Sequence, residues 1–378
     1  MKNVCLITIG CPLTQPRVRK QLNYLYSKNY KITLIANSKS YEGIEFFKLH
    51  RNNIFYEMIR IIVMLIFTKS YEKYFWTRKN KKLLKSLEGR KFDLVIIHGI
   101  RNIQLGIKIA NGSKVLFDAH EYYPENFSDN WFWKISKMNY YKYLCENYLK
   151  YVDYTVTVSK GIGELYKKNF NIENIEIITN SSEYFDLNPT PVDKEHIKII
   201  HHGDCSSSRK LELMIEAAKY FNDNIHLYLM LVVSRGYKHY YKKLRRMARK
   251  IKNVHFIEPV KSVDIVKSIN KYDIGLVFVP PTNTNLYYGL GNKFFEFIQA
   301  RLMVISGPSV EMVRYIEEYK IGLYSNTFDV RELANLINKL TVDEINFYKN
   351  QSNKFARELS YEEQNIKKLE NIFNYLLH

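Results

Sequence analysis

Short apolar runs alternate with longer amphipathic segments along almost the whole sequence. In the first half, the runs that predict strands are Val4–Ile9, Lys31–Ala36, Asp93–His98, Lys114–Asp118 and Tyr154–Ser159. Such β-branched runs are typical of parallel strands that are buried on both faces. Helical periodicity separates them over residues 17–28, about 54–87, 103–110, 131–150 and 160–169. The alternation predicts βαβ units and a doubly wound parallel sheet.

A second series of the same kind begins after residue 190. Its predicted strands are Ile197–His202, Ile225–Val232, Val254–Ile257, Ile274–Val279, Leu302–Ser306 and Ile321–Tyr324. Its predicted helices cover 211–221, 238–251, 262–270, 292–300, 309–318 and 329–339. Because the stretch 188–191 is polar and contains two prolines, we interpret it as a linker. We therefore expect an α/β protein with two Rossmann-like domains, 1–187 and 188–358, that face a central cleft. A C-terminal helix within 359–378 can pack back on the first domain.

The composition is that of a globular and strongly basic protein. Of 378 residues, 46% are hydrophobic and 25% are charged, which excludes a disordered or collagen-like chain. The 57 lysines and arginines outnumber 38 acidic residues, and the net charge of +19 favours nucleic acid, anionic membranes or phosphate-bearing substrates as partners. The four cysteines form no CxxC pair, so we expect free thiols and no zinc site. No apolar run resembles a signal peptide or reaches the roughly 20 residues that a membrane span needs.

Candidate chemistry in the first half lies where predicted strands end. Gly10 follows the first strand, and the loop from it to Arg17 can bring backbone amides close to an anion, although a simple tight turn explains the same residues. The loop lacks the GxGxxG spacing, which disfavours a dinucleotide cofactor. His120 and Glu121 follow the Lys114–Asp118 run. We expect His120 to transfer a proton at the strand ends, the alternative being a histidine that is hydrogen-bonded locally.

The second half offers cations at the end of its first strand. Arg209 and Lys210 follow Gly203 where the next helix begins, a position that suits a phosphate group. A solvated basic loop is the alternative. The tandem His201 and His202 carry less weight, because neighbouring strand positions are expected to place one side chain in the core and the other outward.

The segment that ends at Glu296 contains the densest candidate chemistry. A long polar loop is followed by Gly289, Gly291 and a helix whose first turn contains Asn292 and Lys293. Glycines allow a ligand to approach the backbone closely, and a helix start supplies donors for phosphate oxygens. Glu296 lies about one turn further on, where its carboxylate can bind ribose hydroxyls. An acidic residue in an early turn also simply complements the helix dipole.

These motifs resemble glycosyltransferase family 4, whose members are retaining enzymes with the GT-B fold. The segments that carry the resemblance are FDLVIIHG, DAHEYYPE, VSKGIGELY, IEIITNSS, the HHG loop up to RK, and GNKFFEFIQARLMVISG. They run through essentially the whole chain, and the last of them is the most specific. The resemblance implies an enzyme that moves a sugar from a nucleotide donor to an acceptor.

The resemblance also implies roles for the matching positions. Lys210, with Arg209 beside it, matches the cation that holds the donor diphosphate, Glu296 matches the second glutamate of an E-x7-E motif, and His120 matches a histidine near the transferred sugar. Lys210, Glu296 and His120 are thus the implied catalytic residues. The other implied donor-binding residues are Gly10, Glu258, Val260, Tyr288, Gly289, Leu290, Gly291, Asn292 and Lys293. The implied acceptor side consists of Arg17, His120 and Glu121.

Two positions depart from the family pattern. Tyr288 stands where the first glutamate of the motif would fall, and Asp204 stands where an arginine commonly follows the glycine. The second departure places more of the phosphate neutralisation on Arg209, Lys210 and helix amides. Because the sequence has no Asp-x-Asp pair, we expect a metal-independent reaction that uses a UDP- or GDP-linked sugar as co-substrate. By resemblance, the acceptor hydroxyl attacks on the face that the diphosphate leaves, and the leaving phosphate accepts the proton.

The region 54–91 suggests a surface that binds membranes. Its basic residues are Lys69, Lys73, Arg78, Lys79, Lys81, Lys82, Lys85, Arg90 and Lys91, and its aromatic residues include Tyr71, Tyr74, Phe75 and Trp76. This combination suits an anionic cytoplasmic leaflet, and an amphipathic core helix with a solvated polar face is the alternative. The resemblance implies a cytoplasmic enzyme, peripheral on the inner membrane face. Its acceptor would be a glycan or a lipid-linked glycan in bacterial surface polysaccharide synthesis, such as capsule or O-antigen.

Two other functions fit parts of the sequence. Nucleic-acid binding fits the net charge and the 31 tyrosines, but the basic residues are scattered and no known nucleic-acid-binding motif is present. A sugar-nucleotide 2-epimerase would use a similar two-domain cleft. It would convert a free nucleotide sugar without any acceptor.

Overall fold

The computed structural model describes residues 1–38, 43–50, 52–66 and 71–377, which form two compact units. Met1–Ile178 and Lys368–His378 form the first unit, and Thr179–Lys367 form the second. The boundaries expected after residues 187 and 358 both fall inside the second unit. Among the described helices, none combines the length and the apolarity that crossing a membrane requires.

The first unit is built on a parallel sheet with the order β3-β2-β1-β4-β5-β6-β7 among the described residues. Its strands are β1 (Asn3–Ile7), β2 (Lys31–Ala36), β3 (Glu45–Lys48), β4 (Leu94–His98), β5 (Lys114–Ala119), β6 (Tyr154–Thr157) and β7 (Ile175–Ile177). The strands between the two edges are almost entirely buried, as their apolar runs predict. The edge strands β3 and β7 were not predicted, because they are short and half-buried and a charged residue interrupts each apolar run.

The helices of this unit up to residue 170 are α1 (Pro16–Ser27), α2 (Ile54–Ile66), α3 (Tyr71–Phe75), α4 (Arg78–Lys85), α5 (Ile103–Ala110), α6 (Trp131–Trp133), α7 (Asn139–Tyr148) and α8 (Lys160–Phe170). The single helix predicted over 54–87 is therefore divided. The Thr77 side chain starts α4 by accepting a hydrogen bond from the amide of Asn80. A π-helical turn at 134–138 likewise interrupts the helix predicted over 131–150.

Helix α2 presents its apolar residues to solvent. The exposed ones are Phe55, Tyr56, Met58, Ile59, Ile62, Val63, Leu65 and Ile66. Its charged residues point inward instead, where Glu57 accepts hydrogen bonds from Arg60 and from the Tyr74 hydroxyl. This arrangement contradicts the alternative of a core helix with a solvated polar face. The aromatic residues predicted for a membrane surface, Tyr71, Tyr74, Phe75 and Trp76, are buried or half-buried, and Lys69 lies outside the described residues.

The second unit is built on a parallel sheet with the order β10-β9-β8-β11-β12-β13 among the described residues. Its strands are β8 (Ile197–Asp204), β9 (Ile225–Val232), β10 (Val254–Ile257), β11 (Ile274–Val277), β12 (Met303–Ser306) and β13 (Gly322–Tyr324). Each predicted strand is present, with ends that shift by at most two residues. The prediction of two Rossmann-like parallel-sheet domains is confirmed.

The remaining helices are α9 (Glu212–Ala217), α10 (Lys238–Ala248), α11 (Ile265–Ile269), α12 (Thr284–Tyr287), α13 (Asn292–Gln299), α14 (Val310–Tyr319), α15 (Val330–Asn338), α16 (Val342–Phe355) and α17 (Lys367–Leu377). Helix α16 was not predicted, because its buried face combines Ile345 with the polar Lys349 and Ser352. Lys349 Nζ lies 3.1 Å from Oδ1 of the buried Asp273, an ion pair that holds α16 against the sheet.

Helix α17 packs on the first unit, to which residues from Lys368 onward belong. The Phe373 ring stacks on Tyr24 with a centroid distance of 5.3 Å. Glu370 forms an exposed ion pair of 2.8 Å with Lys28 of α1. Apolar stacking therefore contributes more to this docking than the ion pair, since exposed pairs add about 0–1 kcal/mol.

Candidate active site

In the first unit, the carboxylate of Asp118 at the end of β5 organises the polar side chains. It is fully buried and accepts hydrogen bonds from Arg17 Nε at 2.7 and 2.9 Å and from Gln21 Nε2 at 2.5 Å. Arg17 also donates to the carbonyl of Ile178 at 2.5 Å. Burial alone would raise the pKa of Asp118, but the positive Arg17 and the neighbouring His120 and His98 hold it below its usual value. The carboxylate is thus a fixed negative charge.

Two histidines lie beside this carboxylate and contact each other. His98 Nδ1 lies 3.0 Å from His120 Nε2, and these nitrogens lie 3.6 and 3.7 Å from the Asp118 oxygens. Burial lowers the pKa of His98 to about 3, and burial lowers the pKa of His120 as well. Both imidazoles are therefore neutral near pH 7. His98 is enclosed, whereas the His120 side chain is 32% exposed, so His120 is the one that can contact a ligand.

A cavity of about 310 Å³ opens at this histidine pair. Its walls include His98, His120, Gly99, Arg101 and Tyr123. Because the imidazole nitrogens lie 3.6 and 3.7 Å from the carboxylate oxygens, beyond hydrogen-bond distance, Asp118 acts on the pair through its charge. This arrangement suits a general acid–base or hydroxyl-positioning group.

The same side chains also form the one group of potential metal ligands among the described residues. The ligand atoms of His98, Asp118 and His120 lie within 4.8 Å of one another. However, the Asp118 oxygens already accept hydrogen bonds from Arg17 and Gln21, and the Arg17 guanidinium would lie beside any bound cation. The donor set fits a charge-neutralised hydrogen-bond network better than a cation site.

The other first-unit residues implied by the resemblance have different surroundings. Gly10 has a φ of +113° and donates its amide to Asn37 Oδ1 at 2.6 Å, so its backbone conformation favours glycine and fixes the loop after β1. Arg17 was expected to contact the acceptor, but its guanidinium binds Asp118. Glu121 is half-buried, and burial raises the pKa of its carboxyl group.

In the second unit, the end of β8 meets the start of α13. His201 Nδ1 donates to the carbonyl of Leu276 at 2.8 Å, and its Nε2 lies 3.4 Å from Lys293 Nζ. Gly203 has a φ of +117°, and a Cβ there would lie 3.4 Å from the Lys293 ammonium. Burial, reinforced by the positive Arg209, lowers the pKa of Lys293 well below its ordinary value. The positive charge of Arg209 therefore disfavours protonation of Lys293 at the N-terminus of α13.

Glu296 completes this group from the next turn of α13. Its Oε2 lies 3.4 Å from His202 Nε2, and its side chain is 15% exposed, so it remains accessible to a ligand. Both histidines are buried, which contradicts the expectation that one would point outward. Their two sides are occupied differently, since His201 contacts Lys293 and His202 contacts Glu296 and Phe297.

The structure distinguishes the two adjacent cations of the β8–α9 loop. The charge of Arg209 lowers the pKa values of Lys293, His201 and His202, which places its guanidinium near all three. Lys210 is exposed and has a φ of +50°, the left-handed region. Arg209 therefore acts on this group of side chains, whereas the diphosphate role that the resemblance implies for Lys210 stays a prediction.

The remaining implied donor residues divide by burial. Leu290 is buried in the core beneath α13, so its side chain does not reach a ligand at the surface. Gly289 is sterically required, because a Cβ there would lie 2.7 Å from the carbonyl oxygen of Asn285. The residues with side chains or backbone at least partly accessible are Glu258, Val260, Tyr288, Gly291, Asn292 and Lys293.

Sequence reasoning missed His98 and Arg101. The run DLVIIH ends in His98 just as KVLFDAH ends in His120, so two strand-end histidines on paired parallel strands could have been predicted to meet. Nothing in the sequence indicates that Arg101 lies at a cavity, because it occupies a short 3-10 turn after β4.

Comparison with known proteins identifies the class of enzyme. The family model described as glycosyl transferases group 1 matches residues 185–358. This match, over most of the second unit, makes the chain a glycosyltransferase. No curated protein matches its sequence significantly.

Solved structures show that the glycosyltransferase has the GT-B fold. It is similar over 100% of its length to 98% of a glycosyltransferase from Rickettsia africae, with a TM-score of 0.71 and 15% identity. It is also similar over 99% of its length to 100% of HepE from Anabaena, solved with UDP and glucose, with a TM-score of 0.73 and 12% identity. Sucrose-phosphate synthase from Thermosynechococcus elongatus matches with a TM-score of 0.73 and 11% identity, at 100% coverage of this chain and 99% of that one.

Proposed function

We propose that this glycosyltransferase belongs to family 4 and transfers a sugar from a UDP- or GDP-sugar with retention of configuration, without a metal ion. The observation that carries the donor assignment is the group formed by Arg209, Lys293, Glu296 and the start of α13 in the second unit. Two basic side chains and a helix start without a side-chain cap suit a diphosphate, and a nearby carboxylate suits ribose hydroxyls. The UDP and glucose bound to HepE make UDP-glucose the first donor to test.

The proposed reaction uses these residues to stabilise the leaving group. The acceptor oxygen forms a bond to the anomeric carbon as the bond from that carbon to the donor phosphate oxygen breaks. The departing phosphate oxygen takes the acceptor's proton, on the same face of the sugar. Arg209 and Lys293 offset the negative charge that develops on the diphosphate. In the first unit, neutral His120 donates a hydrogen bond to a sugar hydroxyl in its cavity or accepts one from it.

The adjacent cations of the β8–α9 loop provide a matched test. Calorimetric titration with UDP should show affinity reduced at least about tenfold in Arg209→Ala and Glu296→Ala, because each loses a charged or charge-assisted contact. Lys210→Ala should change affinity by less than about threefold. Loss in Lys210→Ala with none in Arg209→Ala would contradict the assignment.

Retention is tested separately by the product. Proton NMR of the glycoside formed from an α-linked UDP-sugar should give the coupling constant of an α-anomer. A β-linked product would contradict the retaining mechanism. Turnover of the nucleotide sugar to its 2-epimer without any acceptor would favour the epimerase alternative.

We further propose that the enzyme acts on the cytoplasmic face of an anionic membrane in bacterial surface polysaccharide synthesis. The outward apolar side of α2 supports this, together with exposed Phe127, Trp131, Phe132 and Ile135. The two surfaces are neighbours, since Lys137 of the following π-helical turn lies 3.5 Å from Glu57 of α2. Exposed basic residues at Lys73, Arg78, Lys79, Lys81, Lys82, Lys85, Arg90 and Lys91 would add attraction to anionic lipids.

Vesicle flotation tests the membrane proposal. The wild type should float with phosphatidylglycerol vesicles at low salt, and less with phosphatidylcholine or at high salt. The pair Ile62→Asp and Ile66→Asp should abolish flotation, whereas Val263→Asp, at an exposed apolar position of the second unit, should not. Equal flotation of all three proteins would contradict a role for α2.

A further inference from the structure

A second cavity of the first unit lies next to the one at His120 and has no role in the proposed chemistry. Its volume is about 330 Å³, and its walls include Glu57 and Arg60 of α2, Tyr74 of α3, and Arg101 and Asn102 after β4. It shares Ile9 and Arg101 with the His120 cavity. Arg101 thus stands where a molecule could extend from one cavity into the other.

The charge around this cavity is positive. Glu57 is the one acidic residue in its described walls, and it is neutralised by Arg60 at 2.8 Å. Lys137 contacts Glu57 and the Tyr74 hydroxyl from behind, and burial lowers its pKa to about 8, with Arg101 and Arg60 contributing. Arg101 is exposed and forms no hydrogen bond or ion pair with any described residue. One guanidinium therefore remains available at the shared wall.

The cavity also contains a buried hydrogen-bond acceptor, the side-chain oxygen of Asn102. Asn102 is fully buried and donates its amide to the carbonyl of His98 at 2.9 Å. Its Oδ1 has no hydrogen-bond partner among the described residues, although a buried acceptor ordinarily has one. A ligand hydroxyl would satisfy it.

We propose that this cavity binds the phosphate or diphosphate group of a lipid-linked sugar acceptor, with Arg101 and Arg60 on the phosphate and Asn102 on a sugar hydroxyl. The proposal rests on the glycosyl transfer proposed above. The lipid source follows from α2, which supplies the polar residues Glu57 and Arg60 to the cavity and turns its apolar residues outward. A single helix thereby offers one side to an anionic headgroup and the other to acyl chains.

Titrations with minimal probes test the cavity. Inorganic pyrophosphate, methyl diphosphate and undecyl diphosphate, each below its aggregation limit, are titrated into the enzyme saturated with UDP, so that the donor site is filled. Arg101→Ala should weaken all three at least about tenfold, and Arg101→Lys should lose less. Lys168→Ala removes an equal charge from an exposed position of α8 and should leave the affinities unchanged. Unchanged binding in Arg101→Ala would overturn the cavity assignment.

Comparison of the probes identifies the source of the phosphate. Undecyl diphosphate should bind at least about tenfold more tightly than methyl diphosphate, and the Ile62→Asp and Ile66→Asp pair should remove the difference. Equal affinities would overturn the lipid assignment. The same titrations in an Arg209→Ala background need no UDP. If the donor proposal fails, the wild type does not bind UDP. The cavity proposal is decided separately, by the effect of Arg101→Ala on the affinity for the phosphate probes.

Discussion

Replacement of Asp118 by asparagine tests whether its buried carboxylate holds the first unit together. The substitution keeps the size of the side chain but removes the charge that Arg17 neutralises. The Arg17 side chain is only 10% exposed, so its guanidinium would remain buried without a counter-ion. Breaking a buried pair in this way costs about 3–5 kcal/mol, because desolvation is no longer offset.

The three tryptophans provide a probe for this unit alone. Trp76, Trp131 and Trp133 are the chain's full set, and all lie in the first unit. Their fluorescence during urea titration therefore reports its unfolding without a signal from the second unit. With a slope of about 2–3 kcal/mol per molar, the midpoint should fall by about 1–2.5 M in Asp118→Asn.

Two comparisons decide the reasoning. Glu370→Gln breaks the exposed pair with Lys28 in the same unit and should cost no more than about 1 kcal/mol. Adding Arg17→Gln to Asp118→Asn should recover part of the loss, because no isolated charge is then left buried. A midpoint shift in Asp118→Asn as small as in Glu370→Gln, or an additive double variant, would refute the account.

Three further predictions follow from buried titratable groups. Burial lowers the pKa of His98 to about 3 in the folded chain, so as pH falls from about 6.5 the unfolded chain takes up a proton that the folded chain does not. The free energy of unfolding should therefore decline as pH falls. His98→Asn should reduce the slope of that free energy against pH by about 1.4 kcal/mol per pH unit, measured by tryptophan-monitored urea titrations between pH 6 and 4. Burial and the charge of Arg209 lower the pKa of Lys293, and the negative charge of a bound diphosphate should raise that pKa again. UDP binding should therefore be accompanied by proton uptake, which calorimetry in buffers of different ionisation enthalpy measures. Lys293→Met should abolish the uptake. Lys349→Ala leaves Asp273 buried without its cation and should speed amide hydrogen exchange in α16 by about a hundredfold or more. Unchanged exchange rates would argue against a structural role for this ion pair.

The alternation of apolar runs was enough to predict the fold. The interior strands of both sheets were found within two residues of their ends, because burial on both faces leaves a continuous apolar run in the sequence. What failed was local and polar. Helix α16 buries Lys349, so its periodicity was hidden, and α2 exposes its apolar residues, so its pattern was present but its orientation was reversed.

The candidate site was only partly accessible to sequence reasoning. Motifs located the strand ends at which Glu296, Lys293 and His120 stand. They could not choose between Arg209 and Lys210, because that choice depends on a backbone angle. With Lys210 in the left-handed region, the chain turns there and directs adjacent side chains differently. The contact of His98 with His120 was missed as well, although both strand-end histidines are visible in the sequence, because it requires the pairing of β4 with β5 to be recognised first.

The reversed helix α2 and the positive cavity behind it support a common explanation. Exposed apolar residues lower solubility without stabilising the fold, and the exposed Arg101 guanidinium has no hydrogen-bond or ion-pair partner among the described residues. Both become favourable if an amphiphilic phosphate occupies the cavity at a lipid surface, since each then exchanges water for a matching partner. The two halves of the explanation are separable. Arg101→Ala should impair phosphate binding and leave flotation with vesicles intact. The Ile62→Asp and Ile66→Asp pair should abolish flotation and leave the binding of methyl diphosphate intact. A variant of either kind that impaired both would indicate that the first unit is simply damaged, and would remove the support that this geometry gives to a lipid-linked acceptor.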